Sequence, residues 1–515
     1  MSNFKFEYLG HAGWVIKNKD IKIVCDPWLN PEGTFFSSWY QFPRNDHIDL
    51  KSLVADVDAL YISHSHNDHL DSWTLNHFDK NINVYIPKYE DPALKITLKR
   101  LGFSNVHQID DYEDFYIGDI KLNIFKEEDH LDKDSCILLD DGQQRILNLN
   151  DCHLNPKIVK ELAPVDVLMV QFSGASWWPC VYDYDVDKMK DISTRKKENN
   201  MRRAIEYSKW SQAKLSIPCA GPPVFLDEMF DFWDVTRYEN FSPFPLMREG
   251  VVHFEKNDIN TNLINPGDVF SYNGETKFES RPLNENDIYD DYLTYLDSYK
   301  KDKLEITKKH LSRYRNGSEA ASLLKKAFDS VVRRSRVYKH KLDYSINIEI
   351  VGEHRSNWLI NFKENLFKEY KNEDFRYKFT FDCNYLAAIL EQKFIDFDYY
   401  FLSLRFEASR NPDEFDDILF ALMRNMDPLR LGVSEKIYIR KKSKNDFFEV
   451  ESNGKKYKVH KYCPHLLVNL EDAHRLDNDG NIICGIHGWK FDLETGVCPQ
   501  SKTKKLKTMR VENEN

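Results

Sequence analysis

Three histidines and one aspartate lie within six residues directly after a short apolar segment of the sequence. The segment, residues 60–63 (Leu-Tyr-Ile-Ser), has the composition of a buried strand. The polar residues that follow it are His64, His66, Asp68 and His69. Because they stand at the end of one strand, their nitrogen and oxygen atoms can surround one point, and imidazole with carboxylate suits zinc or iron. We therefore predict a metal site here, with Asp68 and His69 also taking part in catalysis.

A second group of metal-binding residue types lies near the C-terminus. Cys463 and His465 form one pair, Cys484 and His487 form another, and eighteen residues separate the pairs. Two thiolates and two imidazoles on two short loops suit a [2Fe-2S] cluster in which one iron takes both cysteines and the other takes both histidines. A structural zinc site is the alternative, but zinc ligands usually come as Cys-x2–4-Cys and His-x3–5-His. The mixed pairs therefore predict a cluster that carries electrons, while another centre performs the bond chemistry.

The two C-terminal loops resemble those of the Rieske [2Fe-2S] family. The second loop continues with Gly488 and Trp489, which gives the pattern Cys-x2-His-Gly-Trp, and the first loop gives Cys-x-His. Leu467 stands where many first loops of the family have glycine. Respiratory members add a second cysteine to each loop and join the loops by a disulfide, whereas this sequence has other residues at those places. The resemblance therefore implies a domain of the ferredoxin or oxygenase type.

The N-terminal motif resembles the His-x-His-x-Asp-His signature of the metallo-β-lactamase fold. This resemblance implies that His130 is a third histidine ligand and that Asp151 is a bridging aspartate ligand. Residues 9–13 together with residues 25–29 resemble the lactonase-like branch of the superfamily. In that branch Asp26 would orient a histidine ligand without binding the metal itself.

Three further histidines are candidates for the surroundings of the N-terminal site. His11 and His153 could each lie near the metal, but a local hydrogen-bonding role is the favoured interpretation for both. The superfamily's last histidine, which completes a second metal site, has His253 as its only nearby candidate. One complete site, with His64, His66 and His130, is therefore predicted more firmly than two.

The combination of the two metal-binding groups resembles the cytidine monophosphate-N-acetylneuraminate hydroxylase family, whose members join a Rieske module to a metallo-β-lactamase-like domain. The likeness extends to residues 61–64, 146–152, 173–176 and 218–221, and more loosely to residues 401–426. In that family the Rieske module comes first, whereas here it comes last, so the electrons must cross a contact made by another connectivity or between subunits. The resemblance implies one or two iron ions in the N-terminal site, with zinc as the alternative, and O2 as co-substrate.

The hydrophobic pattern predicts an α/β protein with three parts. Residues 1–280 should form a metallo-β-lactamase αββα sandwich, residues 281–432 a mainly helical middle region, and residues 433–515 an all-β Rieske domain. Long amphipathic patterns at residues 320–332 and 415–426 predict helices in the middle region. The middle region should also contain some strands, of which Ile346–Val351 is the one located, and two more strands, at residues 436–440 and 456–459, are expected to open the Rieske domain.

A group of aromatic and basic residues follows the metallo-β-lactamase-like motifs. It either lines a pocket for an anionic ligand or forms a solvated helix face, and the second interpretation is favoured. The residues are Trp177, Trp178, Lys196, Lys197, Arg202 and Arg203.

The composition excludes several classes of protein. The 515 residues carry a net charge of −11, which argues against a nucleic-acid partner. The mean hydropathy is −0.61, and no apolar stretch approaches the roughly 20 residues of a membrane span. Nine cysteines in a large chain do not describe a disulfide framework. We therefore expect a cytoplasmic protein without a membrane partner, and self-association into a homo-oligomer is left open.

An electron-carrying cluster favours an oxygenase, because hydrolysis consumes no electrons. We predict oxidation of a small polar substrate, either by hydroxylation at carbon or by oxygenation of an amine nitrogen. The sequence has no nicotinamide or flavin motif, so the electrons should come from a ferredoxin, a b-type cytochrome or a reductase. One alternative is a metal-dependent hydrolase or lactonase with a regulatory Rieske module. Another is a redox sensor or electron-transfer protein without turnover.

Overall fold

The computed structural model describes residues 4–127, 134–174, 176–230, 242–443 and 445–511. These residues form three consecutive parts: a two-sheet sandwich, a helix-rich region built on a five-stranded sheet, and a small β-domain. None of the helices in these ranges combines the length and the apolar character that a membrane crossing needs.

The sandwich is assembled from short, mostly buried strands. Its strands are β1 Phe4–Gly10, β2 Gly13–Asn18, β3 Ile21–Cys25, β4 Tyr40–Gln41, β5 Ala59–Tyr61, β6 Asn83–Pro87, β7 Asn105–Ile109, β8 Phe115–Ile117, β9 Ile120–Lys126, β10 Ser135–Asp140, β11 Arg145–Asn150, β12 Val167–Gln171, β13 Leu215–Cys219, β14 Pro223–Val224, β15 Val269–Tyr272 and β16 Thr276–Ser280. Its helices are α1 Leu50–Val54, α2 Ser72–Leu75, α3 Ala93–Arg100, α4 Pro156–Leu162, α5 Val186–Trp210 and α6 Met247–Glu255, with a 3-10 turn at Glu228–Phe230.

Two sheets of the sandwich pack face to face. One has the strand order β16-β15-β1-β2-β3-β5-β6-β7, and the other has the order β13-β12-β11-β10-β9-β8. Side chains such as Trp14, Leu122 and Ile146 are completely buried in the core that they share. Leu53, Leu75 and other residues of helices α1 to α3 belong to a second core on the larger sheet, and helices α5 and α6 contact β12 and β13. The predicted αββα sandwich is confirmed.

The middle region is rich in helices, as predicted, but these helices pack around a mixed sheet. The helices are α7 Glu285–Tyr289, α8 Tyr292–Leu311, α9 Ala320–Arg334, α10 Tyr338–Lys341, α11 Cys383–Leu390, α12 Phe397–Leu402 and α13 Asp417–Arg424, with a 3-10 turn at Gly317–Glu319. The strands are β17 Ile346–Val351, β18 Ser356–Asn361, β19 Leu366–Glu369, β20 Tyr377–Asp382 and β21 Phe406–Arg410, in the order β19-β18-β17-β20-β21. The sequence interpretation had identified β17 alone, although alternate residues of β20 are buried, as in a strand with one covered face.

The predicted strand at residues 436–440 is wrong, because these residues lie in helix α14, Pro428–Ser443. Leu431, Glu435 and Tyr438 are spaced by four and three residues, and all three are buried. This is the spacing of one helix face, which packs against the middle region. The domain boundary expected at residue 432 therefore falls inside a helix.

Glu435 attaches helix α14 to the start of helix α10. Its carboxylate accepts hydrogen bonds from Ser335 Oγ at 2.5 Å and from the backbone N–H groups of residues 336–338 at 2.9–3.0 Å. We expect Glu435→Ala to lower the free energy of unfolding by about 2–4 kcal/mol, because several buried donors would lose their charged acceptor. Chemical denaturation monitored by circular dichroism measures this change. Glu305→Ala, an exposed glutamate of helix α8, is the control, and an equal effect of both substitutions would contradict the prediction.

The C-terminal domain is all-β, as predicted. Its strands are β22 Phe447–Ser452, β23 Lys455–His460, β24 His474–Leu476, β25 Asn481–Cys484, β26 Lys490–Asp492, β27 Val497–Cys498, β28 Ser501–Lys505 and β29 Thr508–Val511. They form three small sheets around a separate core that contains Val459, Ile482 and Phe491. Strand β25 ends at Cys484, so this sheet positions one of the predicted cluster ligands.

Candidate metal centres

Two strand ends bring the N-terminal ligands together. Strand β5 runs parallel between β3 and β6 and ends shortly before His64. Strand β11, in the opposite sheet, ends directly before Asp151. Nε2 of His69 lies 3.0 Å from Oδ1 of Asp151 and 3.5 Å from Oδ2 of Asp68. The predicted residues from the two sheets therefore converge at one edge of the sandwich.

Each histidine of the motif turns one ring nitrogen towards this common region. Nε2 of His64 and Nδ1 of His66 lie 2.8 Å apart. The ring centroids of His64 and His69 are 4.1 Å apart. Burial and the neighbouring charges of His69 and His66 lower the pKa of His64 to about 3, so its ring is neutral at physiological pH. Against the effect of burial, Asp398 raises the pKa of His66 to about 9, and Asp151 and Asp68 raise the pKa of His69. A metal ion bound by His66 and His69 would therefore displace protons from their rings. A neutral imidazole is the form that binds a metal ion.

The opposite nitrogen of each ring lies against a carboxylate outside the ligand set. Nδ1 of His69 is 3.0 Å from Oδ2 of Asp26, and Nε2 of His66 is 2.8 Å from Oδ2 of Asp398. Nδ1 of His64 is 3.2 Å from Oδ1 of Asp134. Such contacts fix the orientation of metal-binding histidines and increase their basicity.

The donor set fits a metal ion. Several buried nitrogen and oxygen atoms that could bind a metal have no hydrogen-bond partner elsewhere in the described part of the chain, which is rare for buried polar atoms. They include Nδ1 of His11 and Oδ1 of Asp68, while Nε2 of His69 and Oδ1 of Asp151 have only each other at 3.0 Å. Two overlapping groups each place three ligand atoms within 4.8 Å of one another. One group is His11, Asp68 and His69, and the other is His64, His69 and Asp151.

His11 lies at the site rather than in a purely local contact, which was the favoured interpretation of the sequence. Its Nε2 is 2.9 Å from Oδ2 of Asp68. Burial alone would raise the pKa of Asp68, but His69 and His11 lower it to about 2, which keeps this carboxylate ionised. His253 lies elsewhere, in a surface groove on helix α6 with Asn257. The predicted ligand His130 lies outside the described residues.

The four predicted cluster ligands also converge. Backbone hydrogen bonds close both loops, from Leu467 N to Cys463 O at 2.9 Å and from Gly488 N to Cys484 O at 2.8 Å. The rings of His465 and His487 have centroids 5.1 Å apart. The thiols of Cys463 and Cys484 lie within hydrogen-bond reach of each other, so their contact lowers the pKa of Cys484, while burial and the same contact raise the pKa of Cys463. The geometry fits a [2Fe-2S] cluster between the loops.

Leu467 has a left-handed backbone conformation, with φ = 61°. Glycine adopts this conformation without a steric penalty, which accounts for the glycine that many Rieske first loops have here. The side chain is buried, so the loop keeps its shape with leucine in place.

One cavity of about 610 Å³ connects the two centres. Residues of the N-terminal site on its wall include His64, His66 and Asp151, and the cluster ligands His465 and His487 lie on the same wall. The six aromatic and basic residues considered in the sequence divide into two sets. Trp177, Trp178, Lys196 and Arg203 line the cavity. Lys197 and Arg202 instead pair with Glu249 and Glu206.

Comparison with known families assigns the three parts of the chain. Residues 5–218 match the β-lactamase superfamily domain, residues 321–440 match an SCP2-like domain, and residues 431–510 match the Rieske [2Fe-2S] domain. The chain joins a β-lactamase-fold domain to a C-terminal Rieske domain. The resemblance on which the sequence interpretation was based is confirmed at this level.

The β-lactamase–Rieske chain has relatives that cover nearly all of it and relatives that cover about two fifths of it. A Mycolicibacterium smegmatis protein, named only as a Rieske 2Fe-2S iron-sulfur protein, is 26% identical over 98% of this chain and 99% of its own length. The cytidine monophosphate-N-acetylneuraminic acid hydroxylase of Danio rerio is 25% identical over 42% of this chain and 37% of its own. The 4-amino-L-phenylalanyl-[CmlP-peptidyl-carrier-protein] 3-hydroxylase of Streptomyces venezuelae is 27% identical over 39% of this chain and 40% of its own.

The β-lactamase-like site of this chain depends on the middle region, because helix α12 supplies Asp398. We expect Asp398→Asn to weaken metal binding at the N-terminal site by about 10–100-fold, since His66 would lose its charged orienting partner. Titration of metal-free protein with buffered ferrous iron under anaerobic conditions measures this affinity. Asp396→Asn is the matched control, because Asp396 lies two residues away and pairs with Arg430. Equal affinities in wild type and Asp398→Asn would contradict the orienting role.

Proposed function

We propose that the protein is an iron-dependent oxygenase. In this proposal the C-terminal Rieske cluster passes electrons to iron in the β-lactamase-like site, where O2 is used to oxidise a small polar substrate. The bound iron would supply oxygen activation, and the cluster would supply electrons singly. Hydroxylation of carbon and oxygenation of an amine nitrogen are both compatible with this chemistry.

The shared cavity is the observation that carries the proposal. A cavity lined by ligands of both centres lets a substrate reach the N-terminal iron while the cluster stays close to it. A hydrolase would gain nothing from this proximity, because hydrolysis transfers no electrons. Both sets of ligands line this cavity within one chain, so the proposal does not require a second subunit to bring the two centres together.

The side chains of this chain have distinct roles in the proposal. His64, His66, Asp68, His69 and Asp151 would hold iron, with His11 beside them. Cys463, His465, Cys484 and His487 would hold the cluster. Trp177 and Trp178 on the cavity wall would exclude water from the substrate, because large aromatic side chains occupy space that solvent would otherwise fill.

The two hydroxylase relatives support the reaction type more than any substrate. Their names give two chemically different substrates, a sialic acid nucleotide and an aminophenylalanyl group on a carrier protein. Both names specify hydroxylation, and the sialic acid hydroxylase matches the N-terminal region, which carries the first metal site. A ferredoxin, a b-type cytochrome or a reductase is proposed as the electron donor, and the site of action is proposed to be the cytoplasm.

Metal analysis combined with oxygen uptake tests the proposal. Protein purified without oxygen should contain the cluster iron plus one or two further iron ions per chain, and should consume O2 after it has been reduced with dithionite and freed of the excess reductant. Removal of the non-cluster iron should abolish this consumption, and its return should restore it. Full occupancy of the N-terminal site by zinc in freshly purified protein, without oxygen uptake, would instead support a hydrolase with a regulatory cluster.

A further inference from the structure

We propose that His153 is the bridge through which electrons pass from the Rieske cluster to the N-terminal metal site. This inference rests on the proposed oxygenase function. It assigns the transfer to a side chain that belongs to neither ligand set.

His153 lies between the cluster ligands and the residues of the N-terminal metal site. Its ring lies in edge contact with the ring of the cluster ligand His487, with centroids 6.3 Å apart and an interplanar angle of 78°. Along the chain, His153 follows the predicted metal ligand Asp151 by two residues. Both residues line the shared cavity. A path through this ring and the adjacent backbone therefore joins the two ligand sets.

The ring of His153 is fixed from two directions. Its Nε2 lies 3.3 Å from Oε1 of Gln171, and on the other side of the ring its Nδ1 lies 3.7 Å from Oε1 of Glu127. The other oxygen of Glu127 accepts a hydrogen bond from the backbone N–H of His153 at 3.2 Å. A ring that is fixed in this way keeps a constant distance to His487. Electron transfer depends steeply on distance and on packing between the redox centres, so a fixed ring makes a better bridge than a mobile side chain.

Arg203 holds the Rieske loop against the same residues. Its guanidinium donates to the backbone carbonyl of Ile486 at 3.3 Å and to Oε1 of Gln171 at 3.4 Å. Ile486 directly precedes His487, and Gln171 is also the partner of His153. Arg203 is only 5% exposed, so this contact is shielded from water. The Rieske loop and the N-terminal sandwich therefore meet where the rings of His153 and His487 are in contact.

Each transfer in this proposal moves one electron. The ring of His153 would be neither reduced nor oxidised in net terms; the cluster would lose one electron, and one ferric ion of the N-terminal site would gain it and become ferrous. No covalent bond forms or breaks in this step. The external donor restores the cluster electron.

Laser-flash photoreduction of the full chain under anaerobic conditions tests the bridge. Protein with ferric iron in the N-terminal site receives one electron per chain at the cluster by photoreduction, and the visible absorption of the cluster reports when that electron leaves. We expect His153→Leu to slow this step by about tenfold or more, the equivalent of about 1.4 kcal/mol of activation free energy. His153→Phe, which retains a packed ring, should be faster than His153→Leu. His253→Leu, in the groove on helix α6, is the matched control and should equal wild type.

A second readout separates a bridge from a general structural role. In protein without N-terminal metal, the midpoint potential and spectrum of the cluster should be the same in wild type and in both His153 variants, because a bridge changes the rate and not the driving force. Equal transfer rates in wild type and His153→Leu would overturn the inference, as would slowing that is matched by a shifted potential. If the wild-type cluster keeps its electron beside ferric iron, the oxygenase proposal itself fails.

Discussion

Cys484→Ser should abolish donor-driven oxygen consumption while leaving iron in the N-terminal site. Cys484 is completely buried, ends strand β25, and lies beside Cys463 and His487 in the predicted cluster site. Loss of one thiolate removes one of the two sulfur ligands of the same iron, so the [2Fe-2S] cluster should not assemble. The N-terminal ligands come from a different domain with its own core, and their iron should be retained.

Electron paramagnetic resonance and metal analysis measure both parts of this prediction. The reduced cluster signal should disappear, the iron content should fall by two per chain, and oxygen uptake driven by a ferredoxin and its reductase should fall to the level of a control without the protein. Cys498→Ser is the matched control, because Cys498 lies in the same domain core but on neither ligand loop. Undiminished oxygen uptake in Cys484→Ser, with the cluster absent, would show that the N-terminal site reacts without it.

His69→Gln should have the opposite pattern, with an intact cluster and an N-terminal site that does not hold iron. His69 is fully buried and belongs to both candidate groups of metal ligands. Its Nε2 lies between the carboxylates of Asp68 and Asp151. Loss of an orienting partner alone typically costs 10–100-fold in metal affinity, so loss of this ligand should cost more than about 100-fold.

Anaerobic iron titration and the spectrum of the cluster measure this effect. His69→Gln should show a wild-type Rieske spectrum, weak iron binding at the N-terminal site and no oxygen uptake. His253→Gln provides a histidine control in the same domain. Wild-type iron affinity in His69→Gln would remove His69 from the ligand set.

The sequence predicted the parts of both sites that lie close together along the chain. His64, His66, Asp68 and His69 occupy one turn, and each Rieske loop supplies its ligands within a few residues. Motifs of this kind can be recognised without knowledge of the rest of the fold. The sandwich and the all-β C-terminal domain were predicted for the same reason, because short strands and turns leave local patterns.

The parts of the two sites that the sequence did not predict depend on contacts between residues that are distant in sequence. Asp398 reaches His66 from the middle region, and no local pattern marks an aspartate that will face a histidine more than 300 residues away. The ring contact of His153 with His487 likewise exists only because two domains pack together. The sequence interpretation required electrons to cross a domain contact of unknown connectivity, and the structure places such a contact within one chain.

In the helix-rich middle region the sequence predicted the helices better than the strands. Its helices at residues 320–332 and 415–426 carry amphipathic patterns, but four of its five strands escaped prediction. The error at residues 436–440 arose because Ile, Tyr and Ile in that segment suggest a strand, whereas the buried face of helix α14 also requires Leu431 and Glu435, further back in the sequence. A window that covers the whole helix indicates the helical spacing.

The central claim is that the cluster delivers its electron to iron in the β-lactamase-like site, and one comparison of oxidation rates tests it most directly. Fully reduced protein, loaded at the N-terminal site with either iron or redox-inert zinc, is mixed with O2, and the absorption of the Rieske cluster is followed. We predict that the cluster is oxidised much faster in the iron-loaded protein than in the zinc-loaded protein, because iron provides the route to oxygen. Equal rates in the two proteins would contradict the account.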